Sequence, residues 1–224
     1  MNTTSELGRM AAVMRRPKQE RSVARYNALL DAAHELLKEH EVDEVGLYNI
    51  AEKADVPPAS AYHFFPTQAA VFLTLAERYH ATFQEITLKL DPPPDGRWQT
   101  LLRRRLEAAA SIYNANPPML RLLLGSHSIR ELTLAEAGFN ELMACKLIEM
   151  YEGFFRMPIA RPEAERKCLI MLTLVDAVWS LSYAKHRCIV PEFLEESTLV
   201  AIAYMRTYLP ERIDLKERRC IHRI

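Results

Sequence analysis

Between its prolines this chain repeats apolar residues at the three-and-four spacing of an α-helix, and almost nowhere alternates them as a strand would. That pattern restricts it to an all-α fold. The 13 prolines sit mostly at segment boundaries (Pro57–Pro58, Pro66, Pro92–Pro94, Pro117–Pro118, Pro158, Pro162, Pro191, Pro210), and there are only 6 glycines. The spacing predicts helices over residues 21–39, 47–54, 58–65, 67–90, 98–115, 117–124, 128–156, 162–187 and 191–209, then a basic tail containing Lys216, Arg218, Arg219 and Arg223. In the first of them Val23, Tyr26, Leu30, Ala33 and Leu37 share one side. The run Asp91-Pro-Pro-Pro-Asp-Gly-Arg97 is the clearest internal boundary and divides residues 1–90 from 91–224.

A chain of 224 residues buries roughly 70% of its unfolded surface, so it needs no disulfide staple. Its 49% hydrophobic and 26% charged residues exclude a fully disordered chain, and the balance of 29 Lys+Arg against 29 Asp+Glu says nothing about partners. The longest nearly apolar stretch, Leu169 to Tyr183, is interrupted by Asp176 and falls short of the ~20 residues of a spanning helix. It reads as a buried helix, not a membrane span. The N-terminal region carries Arg9, Arg15 and Arg16 instead of an apolar leader, which leads to the expectation of a cytoplasmic protein. Cys145, Cys168, Cys188 and Cys220 have no paired spacing and are expected to be free thiols.

An enzyme reading has one foothold. Glu77-x-x-His80 has the i, i+3 spacing of helical di-iron carboxylate sites, and Asp31-x-x-His34 is similar. Two further inward glutamates cannot be named, and Glu77 and His80 read better as surface residues. There is no G-x-S-x-G, no glycine-rich phosphate loop and no H-E-x-x-H. The sequence calls for no cofactor or metal.

The segment Leu47 to Phe65 holds two short helices joined by a turn of three or four residues, a helix-turn-helix. Ile50, Ala51 and Ala54 turn inward, with Ala51 small enough to admit the second helix; Val56, Ala61 and Phe64 or Phe65 fill the angle. Asp55 suits the left-handed turn position, and Pro58 suits the first helical position, where no N–H is required. The second helix can then enter a major groove with Ala59, Ser60, Tyr62 and His63 near bases or phosphates. Thr67 is a natural cap for the next helix.

Over roughly Arg21 to Phe72 the chain resembles the TetR family of bacterial transcriptional regulators. Ile50-Ala51, Val56, Tyr62-His63-Phe64-Phe65-Pro66-Thr67 and Ala70-Val71-Phe72 carry the likeness. The resemblance implies a homodimer whose heads grip a palindromic operator in double-stranded DNA. A divergent helical domain would bind a small effector, and the two long helices 162–187 and 191–209 would pair with their copies, with Phe193, Leu199, Ile202, Ala203 and Leu209 suited to that interface. A repressor is expected; an activator, or a DNA-dependent partner of another protein, is the alternative. The chain departs from the family pattern at Tyr48, where many members have Arg, at Pro57, where Ser or Thr caps the recognition helix, and at Gln68, where Lys is common.

Those departures matter because the head is acidic: between residues 27 and 80, Lys38, Lys53 and Arg78 face nine carboxylates. Just upstream, Arg9, Arg15, Arg16, Lys18, Arg21 and Arg25 face Glu20 alone, so counterion release is expected to come from this arm; a solvated tail is its alternative. The expected DNA contacts are therefore Arg15, Arg16, Lys18, Arg21, Tyr48, Pro58, Ala59, Ser60, Tyr62, His63, Thr67 and Gln68. Tyr48 and Tyr62 are placed to bond phosphate, and Ser60 and His63 to reach base edges; packing beside Phe65 is the other use for Tyr62.

In the C-terminal part, Trp98, Leu101, Leu102, Leu106, Ala109, Ile112 and Tyr113 form an apolar face with Arg105 near its centre. An inward Arg requires an anion, from a ligand or from the protein, unless it snorkels to the boundary. Thr173, Asp176, Ser180 and Tyr183 form a polar stripe on an otherwise apolar helix. Asp176 is either a ligand group or half of an internal pair, with Arg105 one candidate partner. Phe139 and Met143, on a long-helix stripe with Leu132, Met150 and Phe154, join Met119, Tyr113 and Trp179 as the expected lining of an apolar effector cavity. The expected effector is mostly hydrophobic with one polar or anionic end.

Overall fold

The computed structural model describes residues 19–87, 89, 91, 95–125 and 130–216. The arm residues Arg15, Arg16 and Lys18, the triple proline and the last eight residues lie outside this range. Nine α-helices make up almost all of it: α1 (Glu20–Leu36), α2 (Leu47–Lys53), α3 (Pro58–Phe64), α4 (Gln68–Thr87), α5 (Trp98–Ala115), α6 (Pro117–Gly125), α7 (Arg130–Phe154), α8 (Arg161–His186) and α9 (Pro191–Arg206). Among the described residues the only strand-like pairing is the bridge Phe155–Leu215.

The periodicity places α1 well but overshoots at its start. Val23 is 37% exposed, whereas Leu29 and Ala32 join Tyr26, Leu30, Ala33 and Leu37 in the core. The packed partners begin one turn later: Tyr26 stacks on Phe65 at 4.8 Å and meets Phe64 edge-on at 6.1 Å. Between α2 and α3, Asp55 takes a left-handed conformation (φ 51°), and the Val56 N–H bonds back to the Ala51 carbonyl at 3.0 Å. Pro58 opens α3, and the Thr67 hydroxyl accepts the Ala70 N–H at the start of α4.

Helix α4 belongs to both halves, packing on α1 at one side and on α5, α6 and α7 at the other. A single residue, Asn116, separates α5 from α6, and its Oδ1 accepts the Met119 N–H at 3.3 Å. Asn114 clamps the α8–α9 turn by bonding both the N–H and the C=O of Ile189 at 2.8 Å. The segment after α9 is tied down by Trp98 Nε1 to the Pro210 carbonyl (2.8 Å) and Gln99 Nε2 to that of Glu211 (2.9 Å). Leu209 is therefore core, 3% exposed, and not the interface residue expected from the sequence.

By length and composition α8 could cross a membrane, but it packs along α7 and α9. Only 33% of its apolar stretch is buried within the chain. Ile170, Leu174 and Leu181 stay exposed on it, as does Leu199 on α9, leaving an uncovered apolar face across the two helices.

Candidate DNA-binding head and effector cavity

The recognition helix is held by its inward residues and offers the others to solvent. Ala61 and Phe65 are completely buried and Phe64 is 6% exposed, which fixes the helix on α1. On the opposite side Pro58, Ala59, Tyr62 and His63 are exposed and Ser60 is half-buried. Tyr62 is 54% exposed and Tyr48 62% exposed, so Tyr62 does not spend its ring on packing beside Phe65. Gln68 serves the fold directly, because its Nε2 donates to the Val42 carbonyl at 2.8 Å and closes the 3-10 turn Val42–Glu44 onto α4. Two of the head's cations are already engaged, Lys38 with Glu35 at 2.7 Å and Arg78 with Asp31 at 2.6 Å. Among the described residues Arg21, Arg25 and Lys53 form no ion pair and are exposed.

The second site lies between α4, α5, α7 and α8. A chamber of about 50 Å³ is walled by Phe83, Tyr113, Phe139, Met143 and Trp179, with Arg105 at its edge. It shares Tyr113, Asn140 and Asp176 with a wider cleft of about 490 Å³ lined by Leu132, Glu136, Thr173 and Ser180. The aromatic walls interlock edge to face: Tyr113 meets Trp179 at 5.7 Å, and Phe83 meets Phe139 at 6.1 Å. Seven of the expected effector residues thus converge with Arg105. Met119 and Tyr183 do not line these cavities: Met119 is fully packed core, and Tyr183, near the end of α8, reaches toward the head instead.

The internal pair between Asp176 and Arg105 does not form. Asn140 Nδ2 donates to Asp176 Oδ2 at 2.6 Å, and Arg105 Nη1 finds only Met150 Sδ at 3.2 Å. Burial lowers the Arg105 pKa from its usual value. Burial pushes the Asp176 carboxyl up to about 7; the Asn140 bond opposes this, while the charge of Glu136 reinforces it. An acid with a raised pKa holds its proton more tightly when folded, so ionising Asp176 destabilises the fold as pH climbs from 3.8 through about 7. The Asp176→Asn variant escapes that loss and still accepts the Asn140 bond. It is expected to melt with the wild type near pH 4 and about 3–6 °C above it at pH 8, roughly 1–2 kcal/mol after discounting for relaxation and water entry at the half-buried site. Melting followed by circular dichroism decides this, since a difference that does not change with pH removes Asp176 as its source.

Residues 29–75 match the family model described as bacterial regulatory proteins, tetR family. Over the head, the chain is similar to that family. No curated protein matches it. A TetR-family transcriptional regulator from Streptomyces coelicolor superposes with a TM-score of 0.60 at 23% identity, covering 84% of this chain and 99% of that one. A TetR regulator from Rhodococcus sp. RHA1 gives 0.61 at 17% identity, with coverage of 84% and 97%. SmeT, the repressor of the Stenotrophomonas maltophilia multidrug efflux pump SmeDEF, gives 0.58 at 16% identity, with coverage of 86% and 91%.

A polar cluster joins the head to the cavity domain. Arg121, on α6, donates through Nη1 to the carbonyls of Leu37 and His40 (3.1 Å for the latter), beyond the end of α1. Its Nε donates to Tyr183 Oη at 3.3 Å and lies 3.4 Å from Glu41 Oε1, which Arg187 also approaches at 3.2 Å. Gly125 leaves room for Tyr183 here: a Cβ at Gly125 would stand 2.7 Å from the tyrosine ring. Glu41 and Arg187 do not stand out in the sequence, because each lies among other charged residues, whereas Arg121 is the one charge in the apolar run Met119–Leu124. Asn140 and Glu136 are more legible: they interrupt the same long-helix stripe as Leu132, Phe139 and Met143.

The residues of the metal-site reading are committed elsewhere. His34 Nδ1 bonds Tyr79 Oη at 2.7 Å, and Asp31 pairs with Arg78. His80 is buried, not a surface residue: it stacks on Phe139 at 3.5 Å with Nε2 3.1 Å from Glu136 Oε1. Among the described residues no three His, Cys, Asp or Glu side chains converge as a metal site.

Proposed function

We propose that this DNA-binding regulator is a cytoplasmic homodimeric repressor that grips a palindromic operator and is released by a small amphipathic effector. The observation that carries the reading is the recognition helix, locked by Ala61, Phe64 and Phe65 while Ala59, Ser60, Tyr62 and His63 face outward. The uncovered α8–α9 face supplies an isologous dimer surface, and the α5–α8 cavity supplies the effector site. Residues 1–90 then form the arm, head and connecting helix, and 91–224 the effector and dimer domain.

Selection from random duplex DNA, followed by anisotropy titration at two salt concentrations, tests the reading. Enrichment of a palindrome bound by two chains is the expected result; enrichment of no sequence overturns it. With so few unpaired cations in the described head, the arm must supply most phosphate neutralisation. Removing residues 1–18 takes away Arg9, Arg15, Arg16 and Lys18. At ~0.9 per phosphate contact and four cations on each of two chains, the slope of log K against log salt is expected to flatten by up to about 7. An unchanged slope takes the arm out of the DNA interface.

A further inference from the structure

Arg105 is 5% exposed, yet it borders two chambers at once. One is the aromatic chamber described above. The other, about 30 Å³, lies on its far side among Trp98, Tyr151, Cys168 and Met205. A guanidinium carries five N–H donors in a planar fork and keeps its charge, whereas the thioether of Met150 is a weak acceptor for one of them. Among the described residues no carboxylate pairs with it. Neither acid of the cavity reaches it: Asp176 is bonded to Asn140, and Glu136 Oε1 lies 3.1 Å from His80 Nε2 without a hydrogen bond. An isolated buried charge is strongly unfavourable, and an apolar side chain of the same size would fill this position better. The position therefore makes physical sense as a receptor whose counter-ion comes from outside.

We propose that Arg105 receives the anionic end of an amphipathic monocarboxylate effector. Its hydrocarbon body lies along Phe83, Tyr113, Phe139 and Trp179, and its far end leaves past the Asn140–Asp176 pair into the wider cleft. A planar carboxylate matches the fork with two parallel hydrogen bonds, and the dry surroundings strengthen them. This rests on the effector-cavity reading above and narrows it to a ligand class.

Decanoate, decan-1-ol and decyltrimethylammonium share a tail and differ in headgroup, and Trp179 fluorescence reports occupancy of the chamber. Decanoate is expected to bind the full-length protein at least tenfold more tightly than decan-1-ol. Arg105→Met is expected to erase that preference without weakening decan-1-ol binding, and Arg105→Lys to retain part of it as a point charge. Thermal melting shows whether each variant is folded; if Arg105→Met is not, Arg105→Gln and the wild-type ratio decide. Equal binding of acid and alcohol, unchanged decanoate binding in Arg105→Met, or no binding of any probe overturns the proposal. So does tightest binding of the ammonium with its loss in Asp176→Asn. Release of DNA is measured separately: decanoate bound through Arg105 that leaves the DNA complex intact keeps the anion site and removes the effector role.

Discussion

Replacing Arg121 with Met is expected to disconnect the head from the cavity domain. In the wild type an effector is expected to weaken operator binding by roughly 10–100-fold, within the usual range of coupling free energies. In Arg121→Met that ratio is expected to fall below about threefold. The carbonyls of Leu37 and His40 lie just past the last turn of α1, where a helix leaves acceptors unsatisfied and its dipole favours a cation. Arg121 meets both needs from α6 and also closes the circuit through Glu41 and Tyr183. Removing it leaves the part-buried Leu37 carbonyl and the exposed His40 carbonyl without this donor and Glu41 with Arg187 and Tyr183, a loss of about 1–2 kcal/mol. Arg121→Lys keeps the charge without the fork and is expected to fall between. Anisotropy titration of the operator with and without a releasing ligand measures the coupling, and undiminished coupling in a folded Arg121→Met protein places the relay elsewhere.

The second large effect is on DNA itself. The double variant Ser60→Ala, Tyr62→Ala is expected to lower operator affinity about 100-fold while leaving melting temperature and solution mass unchanged. Neither change touches the packing of α3: Tyr62 is 54% exposed, and Ser60 contributes to the fold through its backbone N–H on Pro57. The affinity loss combines a phosphate contact, which weakens all sequences alike, with a base-edge contact, which carries discrimination of about 1–3 kcal/mol. Tyr62→Phe alone is therefore expected to weaken operator and random DNA by similar factors, and Ser60→Ala to narrow the gap between them. Retention of full operator affinity by the double variant would remove α3 as the reading helix.

The helix-turn-helix is legible in the sequence because each local rule points the same way. Asp55 suits a left-handed turn, Pro58 a first helical position and Thr67 a cap, and all three do these things. The cavity is legible in its walls, since inward aromatic and Met residues on two periodic helices have to meet. Polar partners are not. Arg105 and Asp176 both face inward as their periodicity requires, but which polar atom each finds depends on the relative rotation of α5, α7 and α8, which no single helix encodes. Tyr183 shows the same limit: it continues the Thr173, Asp176, Ser180 stripe, but the stripe outlasts the cavity and its last member meets Glu41 of the head. His80 reads as a surface residue in the sequence because the ring it stacks on, Phe139, comes from a distant helix.

Asn116 alone joins α5 to α6, and the two residues after it are prolines. Such a joint has almost no slack, because ring closure fixes both proline φ angles and neither residue brings an N–H. In the proposed switch, a wall of the chamber on α5 and the α6 helix that holds the end of α1 therefore work as one crank. A push on Tyr113, three residues before the joint, is expected to displace Arg121, five residues after it, with little lost to bending. In the proposed switch, a lengthened joint is expected to let the chamber fill without moving the head, which places its sensitivity in a linker of one residue.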